Sequence, residues 1–215
     1  MSALLRQPAT VPHVVFDRLN SLAPLGEAER RTVDFLQRKP RRSFEPREPL
    51  LSEGAPIQSP LYVLAGWACR VRELADGRRQ LLGILLPGDA VGHCTRPRAR
   101  ALSTVAAITT VRAVEASELH AAANDSGRFP MLAEALSLAL AEDEAFLLNQ
   151  VVRLGRQTAF ERLAHLFMEF EHRLSARGLA RNGCFAMPLT QETLADMLGL
   201  SVVHVNRTLQ QMRRE

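Results

Sequence analysis

Near the C-terminus, Asn206 and Arg207 carry side chains suited to reading the edge of a base. An Arg guanidinium forks onto guanine O6 and N7, which discriminates against a wrong base by about 1–3 kcal/mol, and an Asn amide matches adenine. The plainer role for Arg207 is a surface salt bridge worth under about 1 kcal/mol, and for Asn206 simple solvation. Val202 and Val203 precede them; Val203 either touches a thymine methyl or fills space. Thr190, Gln191, Ser201 and His204 stand where two helices would begin, and helix N-termini attract phosphate.

These residues converge only if Leu189 to Met212 folds as two helices across a tight turn. The residue types fit that demand. Thr190 is a good N-cap, and Leu194 and Leu198 recur on one helical face. Ala195 is small where helices would cross, and Gly199 sits at the turn, where a positive φ is needed. Leu200 plugs the corner, and Ser201 caps the second helix. Val205, Thr208 or Leu209, and Met212 point back to a core, which leaves Val202, Val203, His204, Asn206, Arg207 and Gln210 outward. The pattern is a helix-turn-helix over about Gln191 to Arg214, whose second helix enters a major groove.

The remaining chain has two grammars. Residues 13 to 38 read as helical. From Arg41, prolines 40, 46, 49, 56 and 60 punctuate short runs, among them Leu61-Tyr-Val-Leu-Ala, Ala68 to Leu74, Gln80 to Leu86, Ser103 to Ala107 and Thr110 to Val114. Regularly spaced short strands predict a β-barrel or roll, with Asp76-Gly77 as a hairpin turn. After Ser117 the pattern is helical again: a short helix to Ala123, then a long one from Pro130 to about Leu154, with Gly155 as the first breaker. Leu132, Leu136, Leu140, Leu147, Val151 and Leu154 form a near-heptad stripe, while Leu138, Phe146, Leu148 and Val152 cover much of the other side. A helix apolar on two faces is covered twice, by its own core and a partner subunit, or wholly by its own core. A second helix spans Thr158 to Arg177, closed by Gly178, and Phe185 to Leu189 reads as a short strand.

Composition excludes several classes. The 215 residues are 47% hydrophobic and 23% charged, enough for a real core. The absence of a long apolar run and of a signal-like start predicts a cytoplasmic protein with no membrane partner. The net charge of +4 is compatible with nucleic acid. All but Lys39 of the 27 basic residues are Arg; Arg forks onto phosphate, although a GC-rich genome also favours Arg codons. Cys69, Cys94 and Cys184 are scattered, so no metal site is expected. No G-x-S-x-G, H-E-x-x-H or P-loop occurs, so no catalytic residue is assigned and no enzyme is expected.

Taken with Gly66-Trp67 and Leu86-Pro-Gly-Asp89, the order of roll, long helix and helix-turn-helix resembles the Crp/Fnr family of bacterial transcription regulators over nearly the whole chain. The resemblance implies an α+β fold: an N-terminal double-stranded, cyclic-nucleotide-binding-like β-roll (1–128), a dimerisation helix (129–154) and a C-terminal helix-turn-helix domain (155–215), winged in the family but without a wing in this sequence. It implies a homodimer on a palindromic operator, with double-stranded DNA and RNA polymerase as partners. The Leu132–Leu154 stripe would be its seam. The effector pocket would lie at Gly92, His93, Leu102, Ser103, Thr104, Asp143 and Glu144.

That pocket departs from the family's nucleotide binders. His93 stands for the ribose-binding Glu and Ala101 for the phosphate-pairing Arg, with Arg96, Arg98 and Arg100 nearby; Asp143 and Glu144 disfavour an anion. Cyclic AMP is therefore not expected, and the order of His93-Cys94 does not match a haem site, so no cofactor is expected. Val203 and Asn206 also differ from the family's usual DNA-reading residues; Arg207 is kept. The chain stops at Glu215 where a wing would follow, through truncation or a wingless, weaker binder. The alternative is a sensing or interaction module of this fold that has left DNA behind.

Overall fold

The computed structural model describes residues 13–93 and 98–214; Cys94 and Arg96 lie outside them. The helical start is two helices, α1 (His13–Leu22) and α2 (Glu27–Phe35), separated at Pro24, followed by a 3-10 turn to Arg38. Eight strands follow: β1 (Arg41–Phe44), β2 (Pro49–Leu51), β3 (Leu61–Ala65), β4 (Ala68–Glu73), β5 (Arg79–Leu85), β6 (Ala90–Val91), β7 (Thr104–Ala107) and β8 (Val111–Glu115). They form two antiparallel four-stranded sheets, ordered β1-β8-β3-β6 and β2-β7-β4-β5, which face each other as a roll. Phe44, Val63, Leu85, Val105, Val111 and Ala113 fill the space between. At the β3–β4 turn only glycine fits: a Cβ on Gly66 would lie 2.2 Å from the Thr110 carbonyl oxygen.

The helices α3 (Ser117–Ala123) and α4 (Pro130–Arg156) follow. No side chain of its own caps α4. Instead Glu29 of α2, buried, accepts from the backbone N–H groups of Met131 and Leu132 at 2.8 and 2.9 Å. A carboxylate at a helix N-terminus satisfies orphan donors and opposes the helix dipole. The helix runs through Gly155, not ending before it, because an exposed glycine near a helix end costs only about 1 kcal/mol and Gln157 is the first extended residue.

The stripe expected to form a dimer seam is divided by this packing. Leu132 and Leu136 are buried with Val15, Leu19, Val33 and Leu119 in the protomer's own core. Leu154 is half-buried, with Cδ2 beside the turn at Gly199. Leu140, Leu147 and Val151 are exposed. The apolar residues that face outward most continuously are instead Leu138, Ala141, Ala145, Leu148, Val152 and Gly155, spaced alternately three and four apart. The sequence shows two apolar faces; only the position of α1, α2 and the roll decides which is inner.

The C-terminal part holds α5 (Ala159–Ser175), α6 (Gln191–Leu198) and α7 (Val202–Met212). Thr158 caps α5 by a reciprocal pair with Glu161. Residues 185–189 form no strand: no neighbouring strand offers a ladder, and Phe185, Met187 and Leu189 pack onto the helices instead. One core runs from the roll into this part. Trp67, Val71, Leu81 and Ile84 meet Leu163, Leu166 and Phe170 of α5 and Leu194 of α6, with Trp67 edge-on to Phe170 at 5.4 Å.

Candidate nucleic-acid interface

The helix-turn-helix forms at the residues that its sequence marks. Thr190 Oγ1 accepts from the Thr193 N–H at 3.1 Å and Ser201 Oγ from the His204 N–H at 3.2 Å, so both helices are capped. Gly199 ends α6 in the left-handed region (φ 62°, ψ 40°), and the Leu200 N–H returns to the Ala195 carbonyl at 3.1 Å. Val205 and Thr208 are buried against the core.

The outward face of α7 carries Val202, Val203, His204, Asn206, Arg207 and Gln210, all exposed. Val203 is 69% exposed, an apolar side chain left in water on a well-packed helix. Arg207 has no carboxylate partner among the described residues, and it lines an open groove of about 450 Å³ with Gln210, Gln211 and Arg214. Asn206 Oδ1 accepts from Gln210 Nε2 at 3.2 Å, which orients its amide. Thr190, Gln191 and Ser201 are exposed at the two helix starts. Charge, hydrogen-bonding capacity and apolar surface thus share one edge of the molecule.

Residues outside the motif hold it in place. Arg162 of α5 donates to the Leu198 carbonyl at 2.7 Å, the Leu154 carbonyl at 3.0 Å and the Gln157 carbonyl at 2.9 Å, so one guanidinium satisfies the ends of α4 and α6 together. Gln150 of α4 and Gln80 of β5 both donate to the Met197 carbonyl, at 2.6 and 3.1 Å. Deeper, Asp89 accepts from Arg173 of α5 at 3.0 Å and from Arg177, just past the end of α5, at 2.6 Å, and faces Arg18 of α1 at 3.8 Å. Burial would raise the Asp89 pKa, but Arg177 and Arg173 prevail and hold it well below the carboxylate range. Glu169 joins Arg173 to Arg153 of α4, which is fully buried. Sequence reading missed these residues, because a Gln or Arg on a helix signals solvent unless its neighbours are known.

The effector set does not assemble as one pocket. His93 lies edge-on to His120 at 4.4 Å and lines a cavity of about 20 Å³ with Arg18, Tyr62, Asp89 and Asp143. Burial lowers the His93 pKa; burial and then His93 push His120 down to about 4. The Tyr62 hydroxyl and His120 Nε2 are buried without a partner among the described residues. Asp143 is paired with Arg70 at 2.6 Å, while Glu144 faces solvent on the far side of α4. Gly92, left-handed at φ 72°, packs toward Ile57. Leu102, 82% exposed, and Ser103 and Thr104 lie at another edge, where Thr104 Oγ1 accepts from the Glu53 N–H and Arg72 donates to the Leu102 carbonyl.

Two family models match the chain, a cyclic nucleotide-binding domain over residues 41–125 and a Crp-like helix-turn-helix domain over residues 161–215. The transcriptional activator protein FnrL of Cereibacter sphaeroides is 30% identical over 178 residues, 81% of this chain and 70% of that protein. The chain belongs to the Crp/Fnr family of transcription regulators. Another family member, the nitrogen fixation regulation protein FixK of Bradyrhizobium diazoefficiens, is 29% identical over 88% of this chain and 78% of its own. The solved structure of FixK2 from Bradyrhizobium japonicum superposes with a TM-score of 0.69 and 30% identity, covering 82% of this chain and 85% of that one. The roll, long helix and helix-turn-helix are therefore those of the family, and the exposed face of α7 belongs to a DNA-binding domain. Among the described residues, no helix is long and apolar enough to cross a membrane.

Proposed function

We propose that this chain acts in the cytoplasm as a homodimer that reads a two-fold symmetric DNA site with its paired α7 helices and needs no cyclic nucleotide to do so. The observation that carries the reading is the outer face of α7, where Arg207, with no carboxylate partner among the described residues, stands beside Asn206 and an exposed Val203. Arg207 and Asn206 contact base edges with Val202 and Val203, and Thr190, Gln191, Ser201 and His204 position the phosphates. The outward seam Leu138–Ala141–Ala145–Leu148–Val152–Gly155 is the dimer contact, since a heptad of small and branched residues suits a close helix pair. Such a pair places two recognition helices about 34 Å apart.

The effector reading rests on size and charge. Ligand pockets run to about 300–1,000 Å³, whereas the cavity at His93 has about 20 Å³ and Asp143 on its wall. The name of FnrL, a transcriptional activator, suggests activation through RNA polymerase here too. The test is selection of sites from random duplex DNA with the ligand-free protein. Recovery of a palindrome with half-sites one helical turn apart is the expected outcome, and no enrichment at moderate salt would overturn the ligand-free reading.

A further inference from the structure

The β4–β5 hairpin is a roll element that reaches the helix-turn-helix. Arg79 at the start of β5 pairs with Asp196 of α6 at 2.5 Å, and the neighbouring Gln80 holds the Met197 carbonyl. The tip is a hydrogen-bonded turn: Gly77 is left-handed at φ 84°, and the Leu74 and Gly77 N–H groups donate across the turn at 2.7 and 2.9 Å. Between this tip and the motif lies an open cleft of about 600 Å³. Gly77, Arg78 and Arg79 form one wall, and Glu192, Gly199 and Val202 line the other. Glu192 is the second residue of α6 and Val202 the first of α7, so the cleft opens at the ends of both helices that face a bound duplex.

Arg78 and Arg79 differ in what they are free to do. Arg79 is committed to Asp196. The Arg78 side chain is 78% exposed, and its one ion pair among the described residues is with Asp76, itself exposed and two residues away. Such a pair contributes little to the fold and exchanges readily for a stronger partner. A phosphate is that partner, because its oxygens match the guanidinium fork. Glu192 on the opposite wall repels a phosphate, which directs a backbone to the Arg78 side.

We propose that Arg78 is a DNA-backbone contact made by the β-roll, gripping a phosphate beside the bases read by α7. The contact rests on the reading of α7 as the base-reading helix. It widens the site without adding sequence information, since phosphate contacts set register rather than specificity.

The test uses the full chain, its selected duplex and a scrambled duplex, with binding followed across a salt series. Arg78→Ala is expected to keep the wild-type melting temperature. It should weaken both duplexes by a similar factor of several fold, flatten the dependence of log K on log salt by about 0.9 for each phosphate lost, and unmask backbone positions flanking the site to hydroxyl radicals. Arg78→Lys should retain most of the slope. Wild-type binding with an unchanged Arg78→Ala slope and footprint overturns the hairpin contact alone. No salt-dependent binding by the wild type removes the α7 reading, and this contact with it.

Discussion

Arg207 is a long cation on a helix with no carboxylate partner among the described residues. The use proposed for it is the contact with DNA. Arg207→Ala is expected to cost about 1–3 kcal/mol on the selected site and much less on random duplex. Competition binding measures both; equal losses would make Arg207 a phosphate contact only. His120 is another residue whose surroundings assign it a task. It is wedged between Tyr62 and His93, with Glu115 acting on it in the opposite sense. Its folded pKa of about 4 lies below the ordinary 6.5, so its contribution to stability is complete above pH 6.5. Between pH 6.5 and about 4 the unfolded chain takes up a proton that the folded chain refuses, and that contribution is lost. Asp89 and Glu115, whose pKa values are depressed, weaken the fold only at lower pH. Urea midpoints measured from pH 7.5 to 4.5 should fall for the wild type and fall less for His120→Phe. Equal slopes would mean that His120 titrates normally.

Among the elements, α4 is decisive because it has one covered and one uncovered apolar face. Its inner residues Leu132, Ala135 and Leu136 belong to the protomer core, and its outer Leu148 and Val152 have no cover among the described residues. Substitutions on the two sides should therefore separate folding from assembly. Leu148→Glu is expected to halve the mass seen by light scattering with little change in helicity. Leu136→Ala should lower stability by about 2–5 kcal/mol and leave the mass at high concentration unchanged. A dimer that survives Leu148→Glu would place the seam elsewhere. The short connection after α4 is constrained as well: Arg162 closes the ends of α4 and α6 with one side chain.

For the whole molecule, the shared core and the buried charges make roll and helix-turn-helix one cooperative body. Leu163, Leu166 and Phe170 of α5 cover Trp67 and Ile84 of the roll, and Asp89 pins Arg173 and Arg177 across the same boundary. A single calorimetric transition is expected, with no earlier melting of the C-terminal part. Asp89→Asn leaves buried arginines uncompensated, which costs about 3–5 kcal/mol, and should lower the melting temperature of both parts together. Two separated transitions in the wild type would contradict this coupling.

How much of this was legible in the chain depends on the range of the physics involved. Caps, a turn glycine and helical spacing act within a few residues, so Thr190, Gly199 and Ser201 marked the helix-turn-helix before any coordinates. Strand punctuation by Pro, Gly and Asp-Gly likewise marked the roll, and two apolar faces were visible on α4. The short β1, β2 and β6 were not visible: β2 and β6, of three and two residues, carry no period, and β1 is polar at three of its four positions. Nor was the inner face of α4, the Arg162 clamp, the Asp89 network, or the separation of Leu102–Thr104 from His93. Each is a meeting of residues far apart in sequence, and a side chain's own chemistry does not say which neighbour it will meet. Local periodicity and capping determined which elements form and which residues could read DNA; only the tertiary packing decided which faces stay open, because burial belongs to neighbours in space.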